Sequence, residues 1–122
     1  MQYLLLIYNE ETRWRDDATP EEREVRLKPW FEYTDWVREK GWYLGANPLQ
    51  RTATATTVRP RNGGTITTDG PFAETKEALG GYYLIECENL DQAIEAASRM
   101  PAIEYGASVE VRPVMPMPGL EP

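Results

Sequence analysis

Short runs of apolar and β-branched residues divide the chain into six segments with the character of β-strands. The predicted strands cover residues 3–8, 42–49, 54–59, 65–68, 80–87 and 109–114. In residues 3–8 both alternating sets of side chains are apolar or aromatic, which is typical of a strand buried on both faces. The segment Pro60-Arg61-Asn62-Gly63-Gly64 separates the third and fourth strands and predicts a hairpin turn.

A first helix is predicted from Pro20 to about Lys40, before Gly41. Thr19 is a suitable N-cap, and Glu22 completes a capping box. Because proline lacks an amide hydrogen, Pro29 is expected to kink the helix or split it in two. The predicted buried stripe is Leu27, Trp30, Phe31, Thr34 and Val37.

A second helix is predicted to begin after the N-cap Asn89 and to end at Pro101. Its predicted apolar stripe is Ala93, Ile94, Ala97 and Met100. The order β-α-β-hairpin-β-α-β predicts an α+β fold of the ferredoxin-like βαββαβ type, an antiparallel sheet with both helices on one face and an inserted hairpin. One domain is expected over residues 1–114, followed by a Pro-rich tail over residues 115–122.

Helices on one face leave the other face of the predicted sheet open. Tyr82 and Leu84 would point to one side and Tyr83 and Ile85 to the other, so the open side is apolar as well. The sheet of a second copy is the cover we expect, which predicts a homodimer. The alternative is that the chain's own hairpin folds back over the sheet.

Composition removes several classes of chemistry. The chain of 122 residues has no histidine and one cysteine, Cys87, which excludes Ser-His-Asp and Cys-His catalysis and sites built on histidine or several cysteines. We therefore expect no metal and no cofactor. A net charge of −7 argues against nucleic-acid binding. The first apolar run is too short to span a membrane and lacks a preceding basic region, so it predicts a strand of a cytoplasmic protein.

The segment TDGPFAETKEALGGYYLIE, residues 68–86, resembles the DGPFAETKE (DGPF-domain) branch of the YCII-related family. The segments MQYLLLIYNE, ATATTVR and SVEVRPV extend the resemblance over the chain. It implies a dimeric α+β barrel, bacterial origin and, for some relatives, a link to extracytoplasmic-function sigma factors. It implies no defined reaction, and the presumed active-site His–Asp pair of more distant relatives is impossible in a chain without histidine.

The loop after the fourth strand holds the main candidate site. Asp69 can be a buried carboxylate that acts as a general base, or a turn residue before Gly70 that caps local amides. Lys76 and Glu74 can extend a polar site with an anion-binding cation, or form a solvated loop.

Two further residues are candidates for ligand contact. Arg112 lies on the last strand on the same face as Glu110 and would need a partner charge or an anionic ligand if that face is covered. Trp30 can line an aromatic pocket or belong to the core. Three functions stay open: an acid–base enzyme for a small molecule, a small-molecule-binding regulator near the Asp69 loop, and an interaction module for a sigma factor without catalysis.

Overall fold

The computed structural model describes residues 1–14 and 17–120. In this part of the chain the helices are α1 (Pro20–Glu39) and α2 (Leu90–Ser98). The strands are β1 (Gln2–Asn9), β2 (Tyr43–Pro48), β3 (Thr56–Arg61), β4 (Gly64–Asp69), β5 (Ala78–Glu86) and β6 (Ser108–Pro113). Three short 3₁₀ turns, numbered one to three in chain order, cover Glu11–Arg13, Thr52–Thr54 and Pro101–Tyr105.

The main sheet has four strands in the order β2-β5-β1-β6, and every neighbouring pair is antiparallel. Strands β3 and β4 form a separate two-stranded sheet. The α+β ferredoxin-like architecture with an inserted hairpin is thus confirmed. The turn of the hairpin is the Asn62-Gly63 pair, and both residues have positive φ, 46° and 81°, as a two-residue turn of the primed type requires.

The core lies between the helices and one face of the main sheet. Tyr3 and Leu5 of β1 and Tyr83 and Ile85 of β5 are all at most 7% exposed on this face. The helices contribute Tyr33, Val37, Ala93, Ala96 and Met100. Since these residues come from both helices, the prediction that both cover the same face is correct.

The buried stripe of α1 differs from the predicted one. Leu27 and Phe31 are 46% and 63% exposed, and the residues that reach the core are Tyr33 and Val37, with Trp30 packed beside them. In α2, Ile94 is 46% exposed and Ala96 takes its place in the core. Both helices carry apolar side chains on more than one face, so a spacing of three and four did not select the correct stripe.

Helix α1 runs without a break through Pro29, which rules out the split in two but not the kink, the other of the two predicted alternatives. Every residue from 20 to 29 is exposed, and the helix packs only through its second half. Thr19 caps its N-terminus as predicted, because the Thr19 hydroxyl accepts a hydrogen bond of 3.1 Å from the amide of Glu22. Within the described residues, neither helix is long and apolar enough to cross a membrane.

The second face of the main sheet, which we call the open face, is half-buried and apolar at its centre. Leu4 and Leu6 of β1 and Tyr82 and Leu84 of β5 lie on it, paired across the strands as Leu4 with Leu84 and Leu6 with Tyr82. The hairpin packs mainly on itself and on the loop that follows it. The alternative in which the hairpin covers its own sheet is therefore not what this fold adopts.

After β6 the chain has one further turn, in which the amide of Leu120 donates to the carbonyl of Met117 over 3.1 Å. Met115, Met117 and Leu120 are exposed. This turn belongs to the predicted tail over residues 115–122, and the last two residues of the tail lie outside the described part of the chain.

Candidate functional site

The backbone around Asp69 is fixed by the hairpin. The amide of Gly70 donates to the carbonyl of Ala55 over 2.7 Å, and the Thr57 hydroxyl donates to the carbonyl of Gly70 over 2.8 Å. Gly70 has a φ of 106°, a conformation that favours glycine. The turn therefore needs Gly70, and it presents Asp69 at the end of β4.

The Asp69 carboxylate is exposed and not buried. Among the described residues it takes part in no hydrogen bond and no ion pair, so it does not cap the turn either. A free carboxylate on a fixed backbone can accept a proton or a hydrogen bond from a bound molecule.

The rest of this loop, residues 70–77, has no regular secondary structure and lies on the surface. Arg59 holds Phe72, with its guanidinium 4.8 Å from the ring centroid and a hydrogen bond of 3.0 Å to the Phe72 carbonyl. The Lys76 ammonium is 3.5 Å from a carboxylate oxygen of Glu10, just after β1. Glu74 is exposed beside them. These contacts place the loop at the end of the sheet where β1 finishes.

The first 3₁₀ turn connects this end of the sheet to the segment after β2. Arg51 donates to the carbonyls of Glu11 and Trp14 over 3.1 and 2.7 Å, and its guanidinium lies 5.4 Å from the Trp14 ring centroid. The amide of Thr52 donates to the Glu11 carboxylate over 2.9 Å and lowers the pKa of Glu11. Trp14 rests on Gly80, where an added Cβ would come within 3.1 Å of the ring. Trp14 thus anchors the segment that follows β1.

Arg112 lies on β6 opposite Leu4, on the open face. Its guanidinium donates two hydrogen bonds to one carboxylate oxygen of Glu110, of 2.8 and 2.5 Å. Glu110, on the same strand, therefore already supplies the negative charge that a covered Arg112 would need. Val109 and Val111 point to the core, as the alternation predicts.

Trp30 lies on the other side of the sheet. Its ring stacks on Tyr83 at 6.1 Å between centroids and meets Tyr33 edge-to-face at 6.2 Å. The Tyr83 hydroxyl is 2.6 Å from that of Thr34, which itself donates to the Trp30 carbonyl over 2.8 Å. Because the one hydrogen of the Thr34 hydroxyl is donated to the Trp30 carbonyl, the Thr34 oxygen accepts the hydrogen bond from the Tyr83 hydroxyl. This bond fixes the Tyr83 ring on which Trp30 stacks.

A surface groove of about 400 Å³ opens beside Trp30, between α1 and the third 3₁₀ turn. Trp36 and Arg99 also line it, with the Arg99 guanidinium 4.6 Å from the Trp36 ring centroid. Trp30 was predicted from the sequence as a ligand contact. Arg99 was not, because Trp36 and Arg99 are 63 positions apart and no local sequence signal indicates that the two meet.

The five candidate residues occupy three regions of the protomer. Asp69, Glu74 and Lys76 share the loop at the end of β1, Arg112 is on the open face, and Trp30 is on the helix side. Only the three loop residues lie on one segment, and no hydrogen bond or ion pair joins their side chains to one another within the described part of the chain. Glu10 contacts Lys76, which no sequence pattern indicated because this contact depends on the fold.

The described residues contain no cluster of three or more His, Cys, Asp or Glu side chains suited to a metal ion. Burial raises the pKa of the Cys87 thiol, and the thiol donates to the Asn89 carbonyl over 3.4 Å. A raised pKa disfavours the thiolate, so Cys87 is not an activated nucleophile.

Comparison with known proteins assigns the family. The YCII-related domain matches residues 1–118. An uncharacterized protein of Rhizobium meliloti (strain 1021) is 38% identical over 115 residues, which cover 93% of this chain and 92% of that protein. Both matches extend over nearly the whole chain, and the family match includes every strand from β1 to β6. The chain therefore belongs to the YCII-related family.

Proposed function

We propose that this chain is the protomer of a homodimer whose two open faces stack on each other, and that the Asp69 loop binds a small molecule. The observation that carries the dimer is the open face itself. Leu4, Leu6, Tyr82 and Leu84 form its centre, and the described chain supplies no helix to cover them. Two sheets stack about 10 Å apart, at the distance that side chains of this size fill.

The hairpin supports the same proposal. Its residue Val58 is 61% exposed, and Phe72 in the loop after it is 74% exposed. Because the hairpin packs mainly on itself and this loop, both side chains are free to contact a second copy. An interface that combines the open face with the hairpin can exceed the roughly 1,000 Å² that specific interfaces need.

The test of the dimer is sedimentation at protein concentrations of about 1 to 50 μM. We expect the native chain to sediment as a dimer and Leu84→Lys as a folded monomer, since a lysine ammonium at the centre of the interface would be desolvated. Val25→Lys is the control, because Val25 is 72% exposed on the free half of α1. If Leu84→Lys does not fold, Leu6→Lys on the same face replaces it. A native chain that is monomeric throughout this range contradicts the proposal.

The ligand site at the loop rests on one negative and one positive side chain and on a turn that fixes the backbone between them. Asp69 offers a free carboxylate, Lys76 offers an exposed ammonium 3.5 Å from Glu10, and Gly70 fixes the backbone between strand and loop. Such a site suits a small polar molecule that has a hydrogen-bond donor for Asp69 and an anionic group for Lys76. Asp69 acts as the hydrogen-bond acceptor or base, and the segment that resembles the DGPF-domain branch includes both Asp69 and Lys76.

A thermal-shift screen against a metabolite library tests this site. A ligand of the loop should raise the melting temperature of the native chain, but not that of Asp69→Asn or Lys76→Gln. Glu88→Gln is the control and should respond like the native chain, because Glu88 is an exposed carboxylate between β5 and α2 and outside the loop. Both loop residues are exposed, so the variants should melt near the native temperature without ligand. Stabilisation that survives both loop substitutions would place the ligand elsewhere and reject the site.

A further inference from the structure

The groove beside Trp30 has aromatic walls that are held in place. Trp30, Tyr33 and Trp36 lie side by side on α1, with ring centroids 6.2 Å apart for Trp30 and Tyr33 and 5.9 Å apart for Tyr33 and Trp36. Tyr105 of the third 3₁₀ turn lines the opposite side. The volume of about 400 Å³ is in the range of small-molecule sites. These walls suit a planar ring, which gains from offset or edge-to-face contact with aromatic side chains.

The groove also carries charges of both signs. Arg26 and Glu32 line it from α1, Arg99 from the end of α2, and Glu104 from the third 3₁₀ turn. No ion pair in the described part of the chain joins any of these four groups to another, and Arg26, Glu32 and Glu104 have no ion-pair partner there at all. Arg99 is 3.8 Å from Glu95 and rests on the Trp36 ring.

The balance of these charges distinguishes between classes of ligand. Two guanidinium groups can bind a carboxylate by paired hydrogen bonds, and two carboxylates can bind an ammonium. A ligand with only one of these groups would meet repulsion from the charges of its own sign. A ligand that carries both a carboxylate and an ammonium would pair with the arginines through the first and with the glutamates through the second.

We propose that this groove binds a small aromatic zwitterion of the aromatic α-amino acid class, with its ring against Trp30 and Trp36. The carboxylate of the ligand pairs with Arg99 and Arg26, and its ammonium pairs with Glu104 and Glu32. This site is separate from the Asp69 loop and does not depend on the proposed dimer, since it lies on the helix side of the sheet, away from the open face.

Tryptophan fluorescence reports on the site directly, because two of the four tryptophans of the chain line the groove. L-Phenylalanine is the probe, since it does not absorb where tryptophan is excited selectively. Phenylacetate and phenethylamine are matched probes that each keep one charge. We expect a saturable change with L-phenylalanine and affinities at least about tenfold lower for both single-charge probes.

Variants then assign the charges. Arg99→Gln and Glu104→Gln should each lower the affinity for L-phenylalanine by about tenfold or more, whereas Arg61→Gln at the exposed hairpin turn should not change it. Arg26→Gln replaces Arg99→Gln if circular dichroism shows that the latter is unfolded.

Three results would overturn the proposal. The first is the lack of any saturable change up to about 10 mM of the amino acid. The second is equal affinity for a single-charge probe, and the third is native affinity in both groove variants. The sedimentation result does not bear on any of these, so this site and the dimer can fail independently.

Discussion

The hydroxyl of Tyr33 connects the two helices. It is buried and donates a hydrogen bond of 2.6 Å to the carbonyl of Ala96 in the last turn of α2. The last four carbonyls of a helix have no partner within it, so Tyr33 satisfies one of these groups from the neighbouring helix. A side chain on α1 thereby fixes the position of the C-terminal end of α2.

We predict that Tyr33→Phe lowers the free energy of unfolding by about 1–3 kcal/mol, since the Ala96 carbonyl is left buried without a donor. Urea denaturation followed by circular dichroism measures the change. Tyr105→Phe is the matched control, because Tyr105 is 68% exposed and should lose no more than a few tenths of a kcal/mol. Equal stability of both variants would show that the 2.6 Å contact contributes nothing.

The same tyrosines predict how stability depends on alkaline pH. Burial raises the pKa of Tyr33 well above its usual range, and burial also raises the pKa of Tyr83. Unfolded tyrosines ionise near pH 10, so above about that pH the unfolded chain loses protons that the folded chain keeps. The contribution of both groups is complete below about pH 10 and is lost as the pH rises towards their folded pKa values.

We therefore expect the free energy of unfolding to fall between about pH 9 and pH 11, with a smaller slope in the Tyr33→Phe/Tyr83→Phe variant. Urea denaturation at several pH values measures both slopes. Tyr105→Phe should keep the native slope. An unchanged slope in the double variant would assign the alkaline loss of stability to other groups.

At the scale of secondary-structure elements, local chemistry predicted where helices and turns begin. Thr19 and Asn89 both accept the expected amide hydrogen bonds, and Asn62-Gly63 forms the expected turn. The same approach chose the wrong stripe of α1, since Leu27 and Phe31, four positions apart, fit a helical spacing as well as Trp30 and Tyr33, three positions apart. Which stripe packs on the sheet is decided by the partners, and α2 and β5 supply aromatic and small residues that fit Trp30 and Tyr33.

The two N-caps allow the effect of an alanine substitution to be compared between an exposed helix end and a helix that is packed in the core. Thr19 caps the half of α1 that is exposed, whereas Asn89 caps α2, whose Ala93 and Ala96 are fully buried. We predict that Asn89→Ala lowers the global free energy of unfolding by about 1 kcal/mol. Thr19→Ala should mainly speed amide exchange at residues 21–24, because that half of α1 can fray without opening the core.

Native-state hydrogen exchange together with urea denaturation separates these outcomes. Pro20 is the residue that follows Thr19, so the first amides measured belong to Glu21 and Glu22. If Thr19→Ala lowered the global free energy of unfolding as much as Asn89→Ala does, the first half of α1 would have to pack on another surface in solution. A second copy of the chain would then be the first surface to consider.

At the scale of the whole molecule, the sequence predicted the sheet and single residues of the candidate sites, but not the contacts that those residues make. The antiparallel sheet with both helices on one face followed from the βαββαβ pattern, because the connections of this fold leave few alternatives. The contact of Lys76 with Glu10 and that of Arg99 with Trp36 both join residues more than sixty positions apart. Exposed charged residues that are so far apart in sequence are not marked by a hydrophobic periodicity. Only the folded structure therefore shows which residues they contact.

The open face links the fold to the proposed function at this scale, since the proposed dimer would bury it. Association that favours the folded state makes stability depend on protein concentration. We predict that the melting temperature of the native chain rises by several degrees between about 1 and 100 μM, since mass action favours the folded dimer. Differential scanning calorimetry over this range measures the rise.

Leu84→Lys should melt at one temperature over the whole range, because its open face cannot stack on a second copy. Val25→Lys should follow the native concentration dependence, since its exposed position on α1 lies on the helix side of the sheet. A native melting temperature that is independent of concentration would mean that the folded monomer tolerates Leu4, Leu6 and Leu84 in water. The apolar face would then be a stability cost retained for another partner, and the two ligand sites would each have to work within a single protomer.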